Sequence, residues 1–241
     1  MSMSIVGNIV RDVVSTLFPS CCIICGRHVA PSVYNICPYC RYEAPLTNFW
    51  KQSNNPVKSR FDGIVPIVEG SSFLFFNHQS PWQRSIHSFK YGGKWLYAYN
   101  LGLWYGAELK ASGLYDDIDV IVPVPLHPFK ILNRGYNQST YLAEGIAKQL
   151  GKPVDNRSVR RLRNNPAQAR KKSHDRWLNT EHLFGVRHPE RLKSKHILIV
   201  DDVLTTGATI SSCIAAIQES VPDCRISIAT LAVSRSILLI R

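Results

Sequence analysis

One stretch of the chain decides the fold, and it reads Ile197-Leu198-Ile199-Val200-Asp201-Asp202-Val203-Leu204-Thr205-Thr206-Gly207-Ala208-Thr209. Its first four residues are apolar and mostly β-branched, which predicts a short buried strand over 196–200. Two aspartates and a small, hydroxyl-rich loop follow this strand. Beyond the loop, apolar residues recur at helical spacing, at Ile210, Cys213, Ile214, Ile217 and Val221. The order strand, carboxylate pair, glycine-containing loop and helix is typical of the ligand-binding edge of a parallel sheet.

The preceding and following segments repeat this alternation of strand and helix. Short apolar runs predict further strands over 72–76, 119–124 and 226–233. Longer periodic segments, bounded by glycine and proline, predict helices over 82–90, 94–111 and 138–150 as well as 210–221. Near-continuous apolar strands that alternate with helices indicate a parallel sheet covered on both faces, so the predicted fold class is α/β.

The loop after the aspartates has the chemistry of a phosphate site. Backbone N–H groups and three threonine hydroxyls of 205–209 can point at one anion, and the next helix adds the positive end of its dipole. Gly207 lacks the Cβ that would hinder close backbone approach to the anion. Asp201 and Asp202 can accept hydrogen bonds from vicinal hydroxyls and hold Mg²⁺ through water or those hydroxyls. A phosphorylated sugar is therefore the expected ligand; the alternative is an aspartate pair followed by a helix cap at Thr209.

The same stretch resembles the signature of type I phosphoribosyltransferases, which bind 5-phosphoribosyl 1-pyrophosphate (PRPP) with Mg²⁺ on a parallel sheet flanked by helices. The resemblance implies that Asp201 and Asp202 bind the ribose hydroxyls. It implies that the 5-phosphate is bound by Leu204, Thr205, Thr206, Gly207, Ala208 and Thr209. Family members that act on 6-oxopurines have an aspartate general base at the position of Thr205. Because threonine cannot accept a proton near neutral pH, hypoxanthine and guanine are not expected as acceptors.

A second segment indicates which group of phosphoribosyltransferases the chain resembles. It runs from the strand 119–124 through Leu126-His127-Pro128 to Arg134-Gly135-Tyr136-Asn137-Gln138. Together with Ser88-Phe89-Lys90-Tyr91-Gly92-Gly93, it is similar to the ComF/GntX-like proteins of bacterial competence and gluconate use. In type I phosphoribosyltransferases, a loop after such a strand binds the pyrophosphate leaving group. The resemblance implies a pyrophosphate side made of Lys90, Leu126, His127 and Arg134.

Structural alternatives stay open for these residues. Lys90 can be a solvated lysine near a helix end, and Asn137 can simply cap the helix that follows it. A loop histidine such as His127 is more often neither an acid nor a phosphate donor. The segment also lacks the acidic or glycine residues of many pyrophosphate loops, so weak or lost catalysis is one of the alternatives.

The segment 157–176 is strongly basic, with cations at Arg157, Arg160, Arg161, Arg163, Arg170, Lys171, Lys172 and Arg176. The resemblance places here a mobile loop that closes over PRPP, where cations would neutralise pyrophosphate and exclude water. An alternative is a track for single-stranded DNA with Trp177 as a stacking platform. A third is a basic loop without a ligand. The formal net charge of +12 favours polyanionic partners but fits a solvated surface equally well.

Five of the seven cysteines lie between residues 21 and 40. Two CxxC pairs, Cys22/Cys25 and Cys37/Cys40, are expected to hold a structural Zn²⁺ in tetrahedral geometry. Cys21 offers an alternative register and His28 a substitute ligand, and a redox role for one pair is a minor alternative. Such a small module cannot bury its own core, so the metal would stabilise it directly.

The domain plan follows from composition. The chain has 241 residues, of which 45% are hydrophobic, enough for one sizeable core and a small appended module. The polar stretch 51–56 predicts a boundary, with an N-terminal helix and the four-cysteine zinc-knuckle module in 1–55 and a phosphoribosyltransferase-like domain in 56–241. The apolar stretch 5–18 is too short and polar to span a membrane and predicts a docked amphipathic helix. A cytoplasmic protein is expected.

These observations support three hypotheses. In the first, the protein is a Mg²⁺-dependent enzyme of the glycosyltransferase class that transfers ribose 5-phosphate from PRPP to an unknown nitrogen acceptor. In the second, it is a non-catalytic module that binds single-stranded DNA and cooperates with DNA-uptake proteins in natural competence. In the third, it senses PRPP without turning it over. The acceptor and the oligomeric state cannot be read from the sequence.

Overall fold

The computed structural model describes residues 20–30, 32, 34–76, 80–88, 93–163 and 183–235. Contacts divide the chain into two compact units, 1–44 and 45–241. The boundary therefore lies before the polar stretch, not at residue 55, because residues 45–55 bond to the larger unit. The N–H of Phe75 donates to the carbonyl of Pro45 at 2.7 Å, and the Asn55 side-chain amide donates to the carbonyl of Gly70 at 2.8 Å. The helix predicted for 5–18 lies outside the described residues.

Within residues 20–30, 32 and 34–44 of the smaller unit, one short helix, α1, spans Pro38–Tyr42. Its N-cap is Cys37, whose sulfur accepts a hydrogen bond from the Cys40 N–H, and Pro38 starts the first turn. Cys21 and His28 form an isolated antiparallel bridge.

The larger unit is built on a parallel sheet. Its strands are β1 (Gly70–Phe76), β2 (Val120–Pro123), β5 (His196–Leu204) and β6 (Arg225–Ser234), in the order β1-β6-β5-β2. All three pairings are parallel. Since the central residues of β5 and β6 are almost completely buried, both strands need apolar side chains on both faces. The predicted α/β class is confirmed.

A second, antiparallel sheet begins in the basic segment 157–176, and its second strand lies beyond that segment. Its strands are β3 (Val159–Arg161) and β4 (Phe184–Val186). The stretch 164–182 between them, which includes Trp177 and the cations from Arg170 to Arg176, lies outside the described residues.

Helices connect these strands: α2 (Pro56–Ser59), α3 (Pro81–Ser88), α4 (Trp95–Ser112), α5 (Pro128–Arg134), α6 (Gln138–Leu150) and α7 (Ala208–Ser220). Single 3₁₀ turns span Phe49–Lys51 and Pro189–Arg191. Helix α6 has the predicted bounds, whereas α5 was not expected. No helix in the described part of the chain is long and apolar enough to cross a membrane.

Helices α4 and α6 approach each other through glycines. A Cβ on Gly102 would lie 2.3 Å from the carbonyl oxygen of Leu142, and one on Gly106 would lie 2.8 Å from the Cα of Ile146. These contacts advance in step along both helices, so the helices run in the same direction. The first residue of α6, Gln138, contacts Asp202 near the end of β5. Both helices therefore begin near the carboxyl edge of the parallel sheet.

Candidate functional site

Asp201 and Asp202 lie near the carboxyl end of β5, and the first turn of α6 holds both side chains. The Ser139 hydroxyl donates to Oδ1 of Asp201 at 3.0 Å. The side-chain amide of Gln138 donates to Oδ2 of Asp202 at 2.9 Å. Gln138, Ser139 and Asp202 are buried, while Asp201 is partly exposed. Two neutral donors at the start of α6 thus fix the positions of both carboxylates.

A short loop whose backbone amides can bind an anion joins these aspartates to α7. Gly207 has φ +86°, a left-handed conformation that favours glycine, and it is the N-cap of α7 without any side-chain cap. The alternative of a cap at Thr209 is therefore not what the helix uses. The first amides of α7 lack an intrahelical acceptor, which makes this helix start suitable for an anion.

Arg60 fixes the same loop from the other side, and the sequence offered no signal for this role. Its guanidinium donates two hydrogen bonds to the Thr206 carbonyl, from Nε at 3.1 Å and from a terminal nitrogen at 3.0 Å. Thr205 is exposed and Thr206 and Thr209 are partly exposed, so all three hydroxyls can reach a ligand. Leu204 and Ala208 are buried, so only their backbone groups are available.

The residues expected on the pyrophosphate side follow β2. Leu126 and His127 are partly exposed, and Nδ1 of His127 caps α5 by accepting the N–H of Phe129 at 3.3 Å. Arg134 is the last residue of α5. Lys90 lies outside the described residues. The structure places Leu126, His127 and Arg134 on one connection between β2 and α6.

Asn137 anchors that connection beside the aspartates. Its amide nitrogen donates to the carbonyl of Val124 at 3.0 Å, and its Oδ1 accepts the N–H of Ser139 at 3.2 Å. The expected helix cap at Asn137 is thus present. Since Ser139 also bonds Asp201, one asparagine links the end of β2, the start of α6 and the carboxylate pair.

Aromatic rings cluster at the beginning of α4 and α6. The ring of Trp95 lies 4.9 Å from that of Tyr141, which lies 5.6 Å from that of Tyr136. Trp95 is 43% exposed, and the neighbouring Lys94 is also exposed. We call Trp95, Tyr136 and Tyr141 the aromatic shelf. Trp95 and Tyr136 were not recognised from the sequence as partners, because they are distant along the chain.

The smaller unit brings the four expected cysteines together. The sulfur atoms of Cys22, Cys25, Cys37 and Cys40 lie within 4.8 Å of one another, and no disulfide joins them. The sulfur atoms of Cys25 and Cys37 are 3.8 Å apart. Four thiolates bound to Zn²⁺ at about 2.3 Å in a tetrahedron have sulfur–sulfur separations of about 3.8 Å, so the cluster fits that ion.

The protonation of the cysteine cluster also fits a cation site. Burial opposes ionisation of Cys25, yet hydrogen bonds from Arg27 and the neighbouring thiols bring its pKa down to about 6. Burial and the surrounding sulfur atoms raise the pKa of Cys40, because a second negative charge in the cluster is unfavourable without a metal. Cys21 is exposed and points to His28, with its sulfur 3.8 Å from Nδ1, so the register with Cys22 is the one that forms the cluster.

Comparison with known proteins was consistent with this geometry. Residues 137–237 match the family model described as the phosphoribosyl transferase domain. The competence protein F of Haemophilus influenzae is 32% identical over 94 residues, which cover 39% of this chain and 41% of that protein. The competence protein ComFC of Bacillus subtilis is 35% identical over 91 residues, covering 38% and 35%. The DNA utilization protein YhgH of Escherichia coli K12 is 34% identical over 93 residues, covering 39% and 40%.

Among solved structures, a hypoxanthine phosphoribosyltransferase from Staphylococcus aureus is similar over 66% of this chain and 74% of that one. Its TM-score is 0.39 and its sequence identity is 14%. The alignments with the competence and DNA utilization proteins span about two fifths of their length. The matched family model and the curated relatives agree with the parallel sheet: residues 137–237 form a phosphoribosyl transferase domain, and the chain is similar to the ComF-type competence proteins over about two fifths of its length.

Proposed function

We propose that the larger unit binds PRPP together with Mg²⁺ and transfers its ribose 5-phosphate to a nitrogen nucleophile. One observation carries this proposal: two carboxylates held by hydrogen bonds lie next to a loop whose backbone amides lie at the start of α7. Asp201 and Asp202 would accept hydrogen bonds from the two ribose hydroxyls. The amides and hydroxyls of 205–209 would bind the 5-phosphate, helped by the dipole of α7.

The groups around the site support this division of roles. Arg60 holds the loop through the Thr206 carbonyl, so the loop amides are arranged before the ligand arrives. Gln138 and Ser139 do the same for the carboxylates. Preorganised donors and acceptors avoid the cost of reorganisation when charge develops in the transition state.

In the proposed reaction, the bond between C1 of the ribose and the pyrophosphate oxygen breaks, and a bond from C1 to the acceptor nitrogen forms. Pyrophosphate leaves with the bonding electrons, and the acceptor loses one proton. Mg²⁺, when bound, neutralises charge on the pyrophosphate oxygens. Thr205 is exposed and supplies no general base, so the acceptor proton must pass to solvent or to another group.

Calorimetry tests the proposal. The wild-type protein titrated with PRPP and Mg²⁺ should release or absorb heat with a saturable profile, whereas the Asp201→Asn/Asp202→Asn variant should give none. Asp116→Asn, which neutralises an exposed carboxylate elsewhere, serves as the charge control and should bind like wild type. Absence of a binding heat in the wild type would contradict the proposal. If binding is observed, a product assay separates a transferase from a protein that only senses PRPP.

A second function, the binding of single-stranded DNA, is favoured by the aromatic shelf. Exposed rings next to cations are what sequence-tolerant binding of single strands needs, because bases stack on the rings and phosphates pair with the cations. Trp95 and Lys94 supply such a pair on a chain of net charge +12. Two curated relatives are competence proteins and a third is a DNA utilization protein, which supports the same proposal.

Salt dependence and one substitution test DNA binding. The logarithm of the affinity for an oligonucleotide should fall with the logarithm of the salt concentration, and Trp95→Ala should weaken binding by roughly 5- to 100-fold. Tyr42→Ala removes an 86% exposed ring of the smaller unit and serves as the matched control. A flat salt dependence would rule out pairing of the DNA phosphates with the cations. Equal effects of the two substitutions would rule out a stacking role for the shelf.

For the smaller unit, we propose a structural Zn²⁺ bound by Cys22, Cys25, Cys37 and Cys40. All four positions of the tetrahedron are filled by thiolates, which leaves no open position for catalysis. Metal analysis of the purified protein should find one zinc per chain. A metal-free protein whose smaller unit is fully folded would contradict this role.

A further inference from the structure

A cavity of about 410 Å³ lies at the amino edge of the parallel sheet, at the opposite end of β5 from Asp201 and Asp202. Its lining includes Val120, the first residue of β2, and Lys195, the residue before β5. The stretch from Lys195 to Asp201 spans about 20 Å at about 3.3 Å per residue, so the cavity is distinct from the proposed PRPP site. The other lining residues are Pro153, Val154, Asp155, Asn156, Arg157 and Arg191.

Main-chain hydrogen bonds to β2 fix one wall of the cavity. The N–H of Asp155 donates to the carbonyl of Ile121 at 2.8 Å, and the N–H of Ile121 donates to the carbonyl of Pro153 at 2.9 Å. Val154 is thereby paired with Ile121 in a parallel bridge. Together with Val120, which is 4% exposed, Pro153 and Val154 form an apolar wall. Because backbone bonds hold it, this wall is in place before any ligand binds.

Asp155, the carboxylate of the lining, shapes the turn that leads out of this wall. Its Oδ1 accepts the N–H groups of Arg157 at 2.8 Å and Ser158 at 2.9 Å, and its Oδ2 accepts the Ser158 hydroxyl at 2.5 Å. Burial opposes ionisation of Asp155, yet these hydrogen bonds and the charge of Arg191 lower its pKa. Asp155 therefore carries one negative charge at neutral pH, and its oxygens are already used within the turn.

Three cations line the cavity and outnumber its single carboxylate. Within the part of the chain that the structure describes, no carboxylate lies within ion-pair distance of Arg157, Arg191 or Lys195. Both arginines are exposed, whereas Lys195 is partly buried. Since like charges that share one cavity repel each other, a bound anion would lower the electrostatic energy of this site.

The carboxylates just before β2 act on other groups. Asp117 pairs with Nδ1 of His196 at 3.0 Å and with the Arg225 guanidinium. Asp119, which precedes Val120, accepts the N–H of His196 at 2.8 Å. Neither aspartate lines the cavity, so the excess of positive charge on its walls is not offset from this side.

We propose that this cavity is a second binding site that takes a nucleoside monophosphate, with Arg191 and Lys195 donating to the phosphate and the apolar wall contacting the base and sugar. The volume lies in the range of small-molecule sites. An inorganic anion would leave the apolar wall unused, and an apolar ligand would leave the cations unused. A nucleoside monophosphate meets both, and the exposed Asn156 offers an amide that can donate to and accept from a base.

Calorimetry with adenosine 5′-monophosphate tests the proposal on the Asp201→Asn/Asp202→Asn variant, in which the carboxylate pair of the PRPP site is removed. The nucleotide should bind, and adding Arg191→Gln/Lys195→Gln should weaken binding by roughly 10- to 100-fold, since charge-assisted hydrogen bonds to phosphate are lost. Lys193→Gln is the matched control, because Lys193 is exposed in the same turn and does not line the cavity. It should change the affinity by less than about threefold.

Two other ligands test the chemical class. Adenosine 5′-monophosphate should bind more tightly than inorganic phosphate, because only the nucleotide reaches the apolar wall. Equal affinities for these two ligands, or equal losses from the cavity substitutions and Lys193→Gln, would overturn the proposal. It would also be overturned if the cavity substitutions weakened binding of a single-stranded oligonucleotide but not of the nucleotide, because the cations would then belong to a surface for nucleic acid.

Near-UV circular dichroism checks the folding of each variant. If a multiple variant is misfolded, Arg191→Gln in the wild-type background decides, since its side chain is exposed, and it must bind the nucleotide more weakly than Lys193→Gln does. The result is independent of the proposed function. Nucleotide binding that depends on Arg191 and Lys195 supports the second site even in a protein that fails to bind PRPP, and its absence leaves PRPP binding at Asp201 and Asp202 unaffected.

Discussion

Replacing Gly145 by alanine should destabilise the protein through the contact between α4 and α6. A Cβ at this position would lie 2.3 Å from the carbonyl oxygen of Tyr99, 2.7 Å from the nitrogen of Leu103 and 2.8 Å from the carbonyl carbon of Gly102. All three are backbone atoms, so no change of rotamer can relieve the overlap. Moving Tyr99 O from 2.3 Å to the 3.4 Å at which ordinary contacts begin requires the helices to separate by about 1.1 Å.

Two effects of opposite sign set the size of the change. Overpacking of a well-packed contact costs about 1–3 kcal/mol, and the upper part of this range, about 2–3 kcal/mol, applies here because every overlapping atom belongs to the backbone. The greater helix propensity of alanine raises the free energy of unfolding by about 1 kcal/mol. The net loss in the free energy of unfolding is therefore about 1–2 kcal/mol, which for a unit of this size lowers Tm by about 2–8 °C. Because α6 also carries Gln138 and Ser139, its displacement should weaken binding at Asp201 and Asp202 as well.

The matched control uses an exposed position of the same helix. Lys148 faces solvent, so Lys148→Ala should be more stable than Lys148→Gly by about 1 kcal/mol, from helix propensity alone. At position 145 the order should be inverted, with glycine more stable than alanine. Urea unfolding with a constant m value measures both differences. If Gly145→Ala matched or exceeded the wild type in stability, the close approach of the two helices would be refuted.

Three further outcomes are expected. Arg60→Ala removes both hydrogen bonds to the Thr206 carbonyl, so the affinity for ribose 5-phosphate, measured by calorimetry, should fall by roughly 5- to 30-fold. An unchanged affinity would show that Arg60 does not organise the loop. Cys37→Ser should abolish zinc binding and expose the smaller unit to limited proteolysis while the larger unit stays folded. Burial lowers the pKa of His196 despite its contact with Asp117, so this histidine is protonated at a higher pH in the unfolded chain than in the folded protein. Stability is therefore lost as the pH falls below about 6.5. Urea midpoints from about pH 7 to about pH 5 should therefore decline less in His196→Gln than in wild type.

Features that depend on local chemistry could be predicted from the sequence. The segment 196–221 is an example, because a buried strand, a polar strand end and a helix start each require particular residue types in that order. Helix α6 has its predicted bounds because Asn137 caps its start and Gly151, at φ +69°, ends it. The spacing of the two CxxC pairs predicted which four cysteines meet.

Features that depend on contacts between distant residues could not be predicted. Arg60 is 146 positions from Thr206, and nothing in the intervening chain indicates their contact. Arg161 was grouped with its basic neighbours, since only the pairing of β3 with β4 separates it from Arg160. The polar stretch 51–56 predicts a domain boundary, whereas the Asn55 amide donates to backbone carbonyls of the larger unit, including that of Gly70.

In the proposed function, one edge of the sheet holds a ribose 5-phosphate between a carboxylate pair and the start of α7. A crystal structure of the protein soaked with PRPP and Mg²⁺ tests it most directly. We expect the two ribose hydroxyls to lie against Asp201 and Asp202 and the 5-phosphate to lie on the backbone amides of 205–209. Density for PRPP in another part of the molecule, or pyrophosphate in place of the 5-phosphate on those amides, would contradict it.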